Sequence, residues 1–244
     1  MHPAILLLTD SRLPAGGHAH SGGVEQAVAL GLVHDLPSLS AFLHGRLRTA
    51  GALAAALAAS ACAFASVREE NGRAEDGPSW EPLDAEADAR TASPAQREAA
   101  RTQGKLLLRV TRRLWPAPVL DDLAEEVPRP HHPVALGAAA HAAGAAPADA
   151  ALAAAHHAVT GPATAAVRLL GLDPVAVHGI LAGLVPDLAE CAARTQLLSE
   201  SADDEEHGHS GPTRRWAALG APSAPALDLL AERHTRAKVR LFVS

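Results

Sequence analysis

Tyrosine is absent from this sequence, and three Phe and three Trp bring the aromatic share to only 2% of 244 residues. The residues that favour strands are therefore scarce, while 57 alanines supply the highest helix propensity, which argues against an all-β fold and for an all-α one. Cysteine is nearly as rare. Cys62 and Cys191 make no Cys-x-x-Cys pair and both lie in Ala-rich helical patterns, so no disulfide framework exists and two reduced, buried thiols in a cytosolic protein are expected. Two Lys stand against 19 Arg, a skew that reads as codon bias in a GC-rich genome. No basic excess accompanies it: the formal net charge is −6, without the electrostatic footprint of a nucleic-acid binder. The one basic cluster, Arg109, Arg112 and Arg113, reads as a solvated helix end. Long apolar runs rich in Leu or Phe are also missing. Ala4 to Leu8 is too short for a secretory signal, and the uncharged stretch 50–67 is mostly Ala, so a cytoplasmic protein with no membrane span is expected.

What remains is 48% hydrophobic and 20% charged, the balance of a soluble globular chain. The expectation is one all-helical domain over 1–244, a bundle of roughly eight to ten helices. Val177, Leu181, Leu184, Leu188, Cys191, Thr195 and Leu198 form one stripe, predicting a continuous helix over 174–199. A second stripe runs from Leu39 to Phe64 behind Pro37-Ser38, with Ser38 as N-cap. A third helix, 94–115, opens at Ser93-Pro94, carries Leu106, Val110 and Leu114 on one side and stops at Trp115-Pro116. Shorter helices fit 133–143, 148–170 and 223–237. The polar segments 69–82 and 201–212 read as mobile loops, and no fixed-period repeat appears.

Fourteen histidines raise the question of metal, especially in His18-x-His20, His131-His132, His156-His157 and His207-x-His209. Adjacent histidines on a helix point about a hundred degrees apart, and no His-x-x-x-His or His-Glu-x-x-His spacing occurs. No metal site is therefore assigned, and the acidic run Asp203 to Glu206 before His207 reads as a solvated loop. Gly104-Lys105 lacks the frame of a phosphate-binding loop, and no Gly-x-Ser-x-Gly elbow is present, so no catalytic residue is assigned either.

The most unusual segment is Asp10 to Glu25, which holds Gly16, Gly17, Gly22, Gly23 and Pro14 between two apolar stretches. Such glycines permit backbone shapes and approaches that a β-carbon forbids. Ser21 is placed to cap a following helix, and Glu25 to favour its N-terminus. At the other end, Arg240, Leu241 and Phe242 put a guanidinium and an apolar pair in a tail that would order on docking to a partner.

These two ends resemble the UreF family of urease accessory proteins. The family's opening pattern falls on Leu13, Pro14, Gly16, His18, His20, Ser21, Gly23, Val24 and Glu25, with His18 and His20 where Phe and Tyr are usual. Its middle Arg-x-x-Gly-x-x-Leu-Leu resembles Arg101 to Leu108, its Ala-Ala-x-Arg-Leu resembles Ala165 to Leu169, and its close resembles Arg233-His234 and Arg240 to Ser244. Leu172-Asp173 stands where many members have Gly-Gln. The resemblance implies a noncatalytic, usually dimeric helical protein that bridges the scaffold UreD, or UreH, and the nickel-delivering GTPase UreG during activation of the urease apoprotein. It further implies that His18, His20, Ser21, Gly22, Glu25, Arg240, Leu241 and Phe242 face partners, that Pro14, Gly16, Gly23, Arg233 and His234 shape the motifs, and that nickel and GTP act in the complex without a stably bound cofactor. Two other readings are a helical metal-dependent hydrolase using the His pairs and a generic helical adaptor.

Overall fold

The computed structural model describes residues 1–71, 79–204, 216 and 219–243, and among these it contains helices and no strand. The fold is all-α. The elements are α1 (Ala4–Leu8), a 3-10 turn (Gly17–Ala19), α2 (Val24–Ala29), α3 (Leu36–Arg46), a π turn (Leu47–Gly51), α4 (Ala52–Asn71), α5 (Glu81–Arg90) and α6 (Pro94–Leu114). There follow α7 (Pro118–Glu126), α8 (His132–Ala142), α9 (Pro147–Leu170), α10 (Pro174–Gly183), α11 (Val185–Asp204) and α12 (Pro225–Arg236). Proline occupies the first or second position of α3, of every helix from α5 to α10, and of α12, where its missing N–H costs nothing and its fixed φ suits the first turn.

Alanine sets how the helices approach. Gly137 on α8 lies so close to α4 that a Cβ there would come within 2.2 Å of the Ala58 carbonyl oxygen. The Ala-rich helices α4 and α9 each present two buried faces. One faces a cluster with Leu83, Leu107 and Leu120, in which Phe64 meets the edges of Trp80 and Trp216 at 4.7 and 5.3 Å between centroids. The other faces a cluster with Leu39, Leu43, Val177, Leu230 and Phe242. The longest apolar helical run, Leu36–Glu70, has 61% of its most hydropathic window buried inside the protein, as a core helix does. Cys62 is buried and Cys191 half-buried, both free thiols.

Several sequence expectations need correction. The predicted helix 174–199 is two helices bent by 41°, because Pro186 cannot continue the hydrogen-bond ladder of the turn before it. Ser38 is not the N-cap of α3; Asp35 is, its carboxylate accepting the Ser38 N–H at 2.9 Å while Ser38 Oγ accepts the Asp35 N–H at 3.1 Å. On α6 the buried face is Gly104, Leu107, Leu108 and Thr111, with Leu114 exposed. Helices α5 and α7 lie in segments assigned no helix. Of the two expected loops, 69–71, 81–82 and 201–204 are helical, and 72–78 and 205–212 lie outside the described residues, as do His207 and His209. Ser93 does cap α6, accepting the Gln96 N–H at 3.2 Å.

Candidate functional site

The glycine-rich loop lies against the middle of α9. Gly22, with φ +59°, sits where a Cβ would come 2.8 Å from Pro162 Cγ, and Gly23, with φ +91°, is the N-cap of α2. Arg46, at the end of α3 where the π turn begins, ties the loop down. Its Nη1 donates to the Gly22 carbonyl at 2.8 Å and its Nε to the Ala158 carbonyl of α9 at 2.8 Å. Ser21 does not cap α2: its side chain is fully buried and its hydroxyl has no hydrogen-bond partner among the described residues.

The loop meets the carboxyl-terminal tail. Glu25 Oε1 accepts the Leu241 N–H at 2.7 Å and Oε2 the Phe242 N–H at 3.1 Å, while the Val243 N–H donates to the Ala19 carbonyl at 2.7 Å. From α12, buried His234 donates through Nε2 to the Phe242 carbonyl at 3.2 Å, and its Nδ1 lies 3.7 Å from Glu25 Oε2. The Phe242 ring is buried in the second core cluster with the Arg168 guanidinium 6.0 Å from its centroid. The tail thus docks on its own chain. Of the residues expected to face a partner, Phe242, His20 and Ser21 are buried, Gly22 and Glu25 half-buried, and His18, Arg240 and Leu241 exposed, Leu241 at 74%. Among the motif residues, Pro14 and Arg233 are exposed, and Gly16 has φ +77°.

The middle motif serves a different place. Arg101 Nη2 lies 2.9 Å from Asp84 and 2.6 Å from Asp88, and its Nη1 donates to the Arg129 carbonyl at 2.6 Å. His131 completes this network, 2.7 Å from Asp88, and its backbone N–H donates to Asp84 at 2.8 Å. Gly104 lets α6 touch the start of α8, since a Cβ there would fall 2.0 Å from the Pro130 carbonyl oxygen. His131 thus belongs to an ion-pair network while His132 turns to His157, and both line a groove.

That groove, of about 1410 Å³, runs between the loop, α4, α9, α12 and the tail, and is lined by His18, His20, His132, His156, His157 and Arg46, among others. The His132 and His157 ring centroids are 5.6 Å apart, and those of His156 and His157 6.2 Å. Burial pushes the pKa of His20 and His132 down to about 4 and that of His157 to about 3, with neighbouring imidazoles adding to each shift, so all three are neutral at pH 7. Among the described residues no group of three His, Cys, Asp or Glu is arranged to hold a metal ion. Arg46 and the approach of His132 to His157 are not legible in the sequence, and Arg168 is marked there only as part of the Ala165 to Leu169 element. The only signal for Arg46 was a charged residue inside an apolar stripe.

Fold and site together define a class: an all-helical protein in which motifs from opposite ends of the chain close over one another and present a shared surface beside a long groove. The comparisons with known proteins say which. Residues 33–185 match the UreF family model. The urease accessory protein UreF of Mycolicibacterium vanbaalenii is 43% identical over 98% of this chain and 97% of its own length. Those of Mycobacterium sp. strain JLS and Mycobacterium bovis are 41% and 40% identical at the same coverages. The chain belongs to the UreF family.

Proposed function

We propose that this protein is a noncatalytic factor in urease maturation, bridging the UreD or UreH scaffold and the GTPase UreG so that nickel, as cargo, reaches the urease apoprotein. One observation carries the reading: the most specific family motifs, 216 residues apart at Glu25 and Leu241, are joined directly and leave His18, Arg240 and Leu241 exposed together with the loop and tail that bear them. A surface built from both ends of a chain is present only when the whole chain is folded, which suits a part that must hold two others in register. In this reading Glu25, His234 and Phe242 set the shape of the tail, while Arg240, Leu241 and His18 meet a partner. The protein works in the cytoplasm as a homodimer and regulates the GTPase by positioning it.

The test is co-purification of the chain with its scaffold and GTPase counterparts, with and without GTP and nickel, together with urease activation in a strain lacking the gene. A ternary complex and restored activation support the proposal. A chain that holds neither partner, or that restores activation without holding them, overturns it.

A further inference from the structure

Arg46 is a half-buried guanidinium that forms no ion pair among the described residues. Its hydrogen bonds among the described residues go to two backbone carbonyls, those of Gly22 and Ala158, which are dipoles and not counter-ions. Desolvation lowers its pKa to about 10, the direction expected of a cation that loses water without gaining an anion. Among the described residues the groove it lines holds three carboxylates, and all are engaged elsewhere: Asp10 with Arg12 at 2.7 Å, Glu98 with Arg129, and Asp228 with the Gln96 amide at 3.2 Å. A half-buried cation that meets only carbonyl dipoles is open to an anion that can reach it.

The surroundings keep it open. Only glycine at position 22 leaves the end of the guanidinium uncovered, since a Cβ there would lie 3.1 Å from Nη2. The contacts to the two carbonyls use Nε and one hydrogen of Nη1, and among the described residues Nη2 and the second Nη1 hydrogen meet no acceptor, leaving donors in the plane of the guanidinium. A second unmet group lines the same groove, the Nδ1 of His156, buried and without a hydrogen-bond partner among the described residues. A planar donor pair with one positive charge matches a carboxylate, and the neutral imidazoles nearby add no further charge that a phosphate dianion would need.

We propose that Arg46 is the recognition residue of a carboxylate site in the groove beneath the glycine-rich loop. The carboxylate comes either from a small free acid or from an acidic side chain of a protein partner. The second source rests on the proposed function above, and the first does not.

Three full-length chains decide it: the wild type, Arg46→Lys, which keeps the charge but loses the planar fork, and Arg46→Gln, which loses the charge. In one arm each chain is melted and titrated calorimetrically with sodium acetate against sodium chloride at equal ionic strength and pH 7. In the other, its dissociation constants for the scaffold and GTPase counterparts are measured. A free-acid ligand raises the wild-type melting midpoint in acetate, and the rise shrinks in Arg46→Lys and vanishes in Arg46→Gln. A protein carboxylate leaves acetate without effect and makes partner binding about tenfold weaker in Arg46→Lys. Because Arg46 also holds two carbonyls, the unmutated chain supplies an independent reading, the Arg46 Nε–H resonance in arginine-labelled protein, which moves when acetate or the relevant partner is added. Variants that behave as the wild type in both arms, or a resonance unmoved by acetate and by both partners, overturn the site. A wild-type chain that binds neither partner counts against the proposed function alone, and the acetate arm then decides Arg46.

Discussion

Glu25 shows how a single residue changes meaning between sequence and structure. Its place in the first turn of α2 and in the family motif marks it, and the expectation was a dipole partner on a surface. Instead its two oxygens hold the Leu241 and Phe242 amides, so its removal acts on the tail. Glu25→Ala is expected to cost about 1–3 kcal/mol for the charge-assisted bonds lost, with faster hydrogen exchange at 241–243 while the helices keep their protection. Glu25→Gln, which retains one acceptor, falls between. The groove histidines give a second test at this scale. Their folded pKa values, about 4 for His20 and His132 and about 3 for His157, lie below the ordinary 6.5. Below pH 6.5 the unfolded chain binds protons that the folded chain refuses, so the stability is complete above that pH and falls as pH drops toward the folded values. Urea midpoints measured from pH 7 to pH 5, a window in which ordinary carboxylates stay ionised, should decline, and His132→Asn should flatten the decline.

Helices were legible where local chemistry decides them and illegible where a neighbour does. Ser93-Pro94 marks the start of α6 because the cap and the first-turn proline act within four residues. Stripe periodicity carried the reading of 174–199 past Pro186, since the repeat of apolar residues continues across the bend and says nothing of a missing N–H. The buried face of α6 was misread because Gly104, lacking a side chain, adds nothing to an apolar pattern, yet it marks the closest approach to α8. Glycines therefore separate two outcomes. Gly137→Ala drives a Cβ to 2.2 Å from the Ala58 backbone oxygen, where α4 and α8 must part, and is expected to cost about 3 kcal/mol or more and to lower the melting midpoint sharply. Gly45→Ala, on the exposed side of α3 with nothing within 4 Å, should raise stability by about 0.5–1 kcal/mol from helix propensity alone. Equal effects would mean that the α4–α8 approach is looser than the Gly137 contacts indicate.

For the whole molecule, sequence showed two motifs but not that they meet. Nothing in the spacing of Glu25 and Leu241 announces a contact, because tail docking depends on where α12 and α9 leave His234 and Arg168. The tail consequently has two kinds of residue. Phe242 fills the second core cluster at 6% exposure, so Phe242→Ala should open a cavity and cost about 3 kcal/mol, lowering the melting midpoint and loosening the loop through the Val243–Ala19 contact. Arg240 is exposed and in no ion pair among the described residues, so Arg240→Ala should leave the melt within about 0.5 kcal/mol of the wild type. The partner surface predicts the opposite order for association: Arg240→Ala weakens scaffold binding and GTPase recruitment although the fold is untouched. Leu241→Ala, with its side chain outward and its N–H still on Glu25, should follow Arg240. Thermal melts and pull-downs on the three variants separate the roles. If Arg240→Ala and Leu241→Ala hold both partners as well as the wild type does, the tail serves only to close the chain on itself, and the partner-facing surface must be sought elsewhere on the molecule.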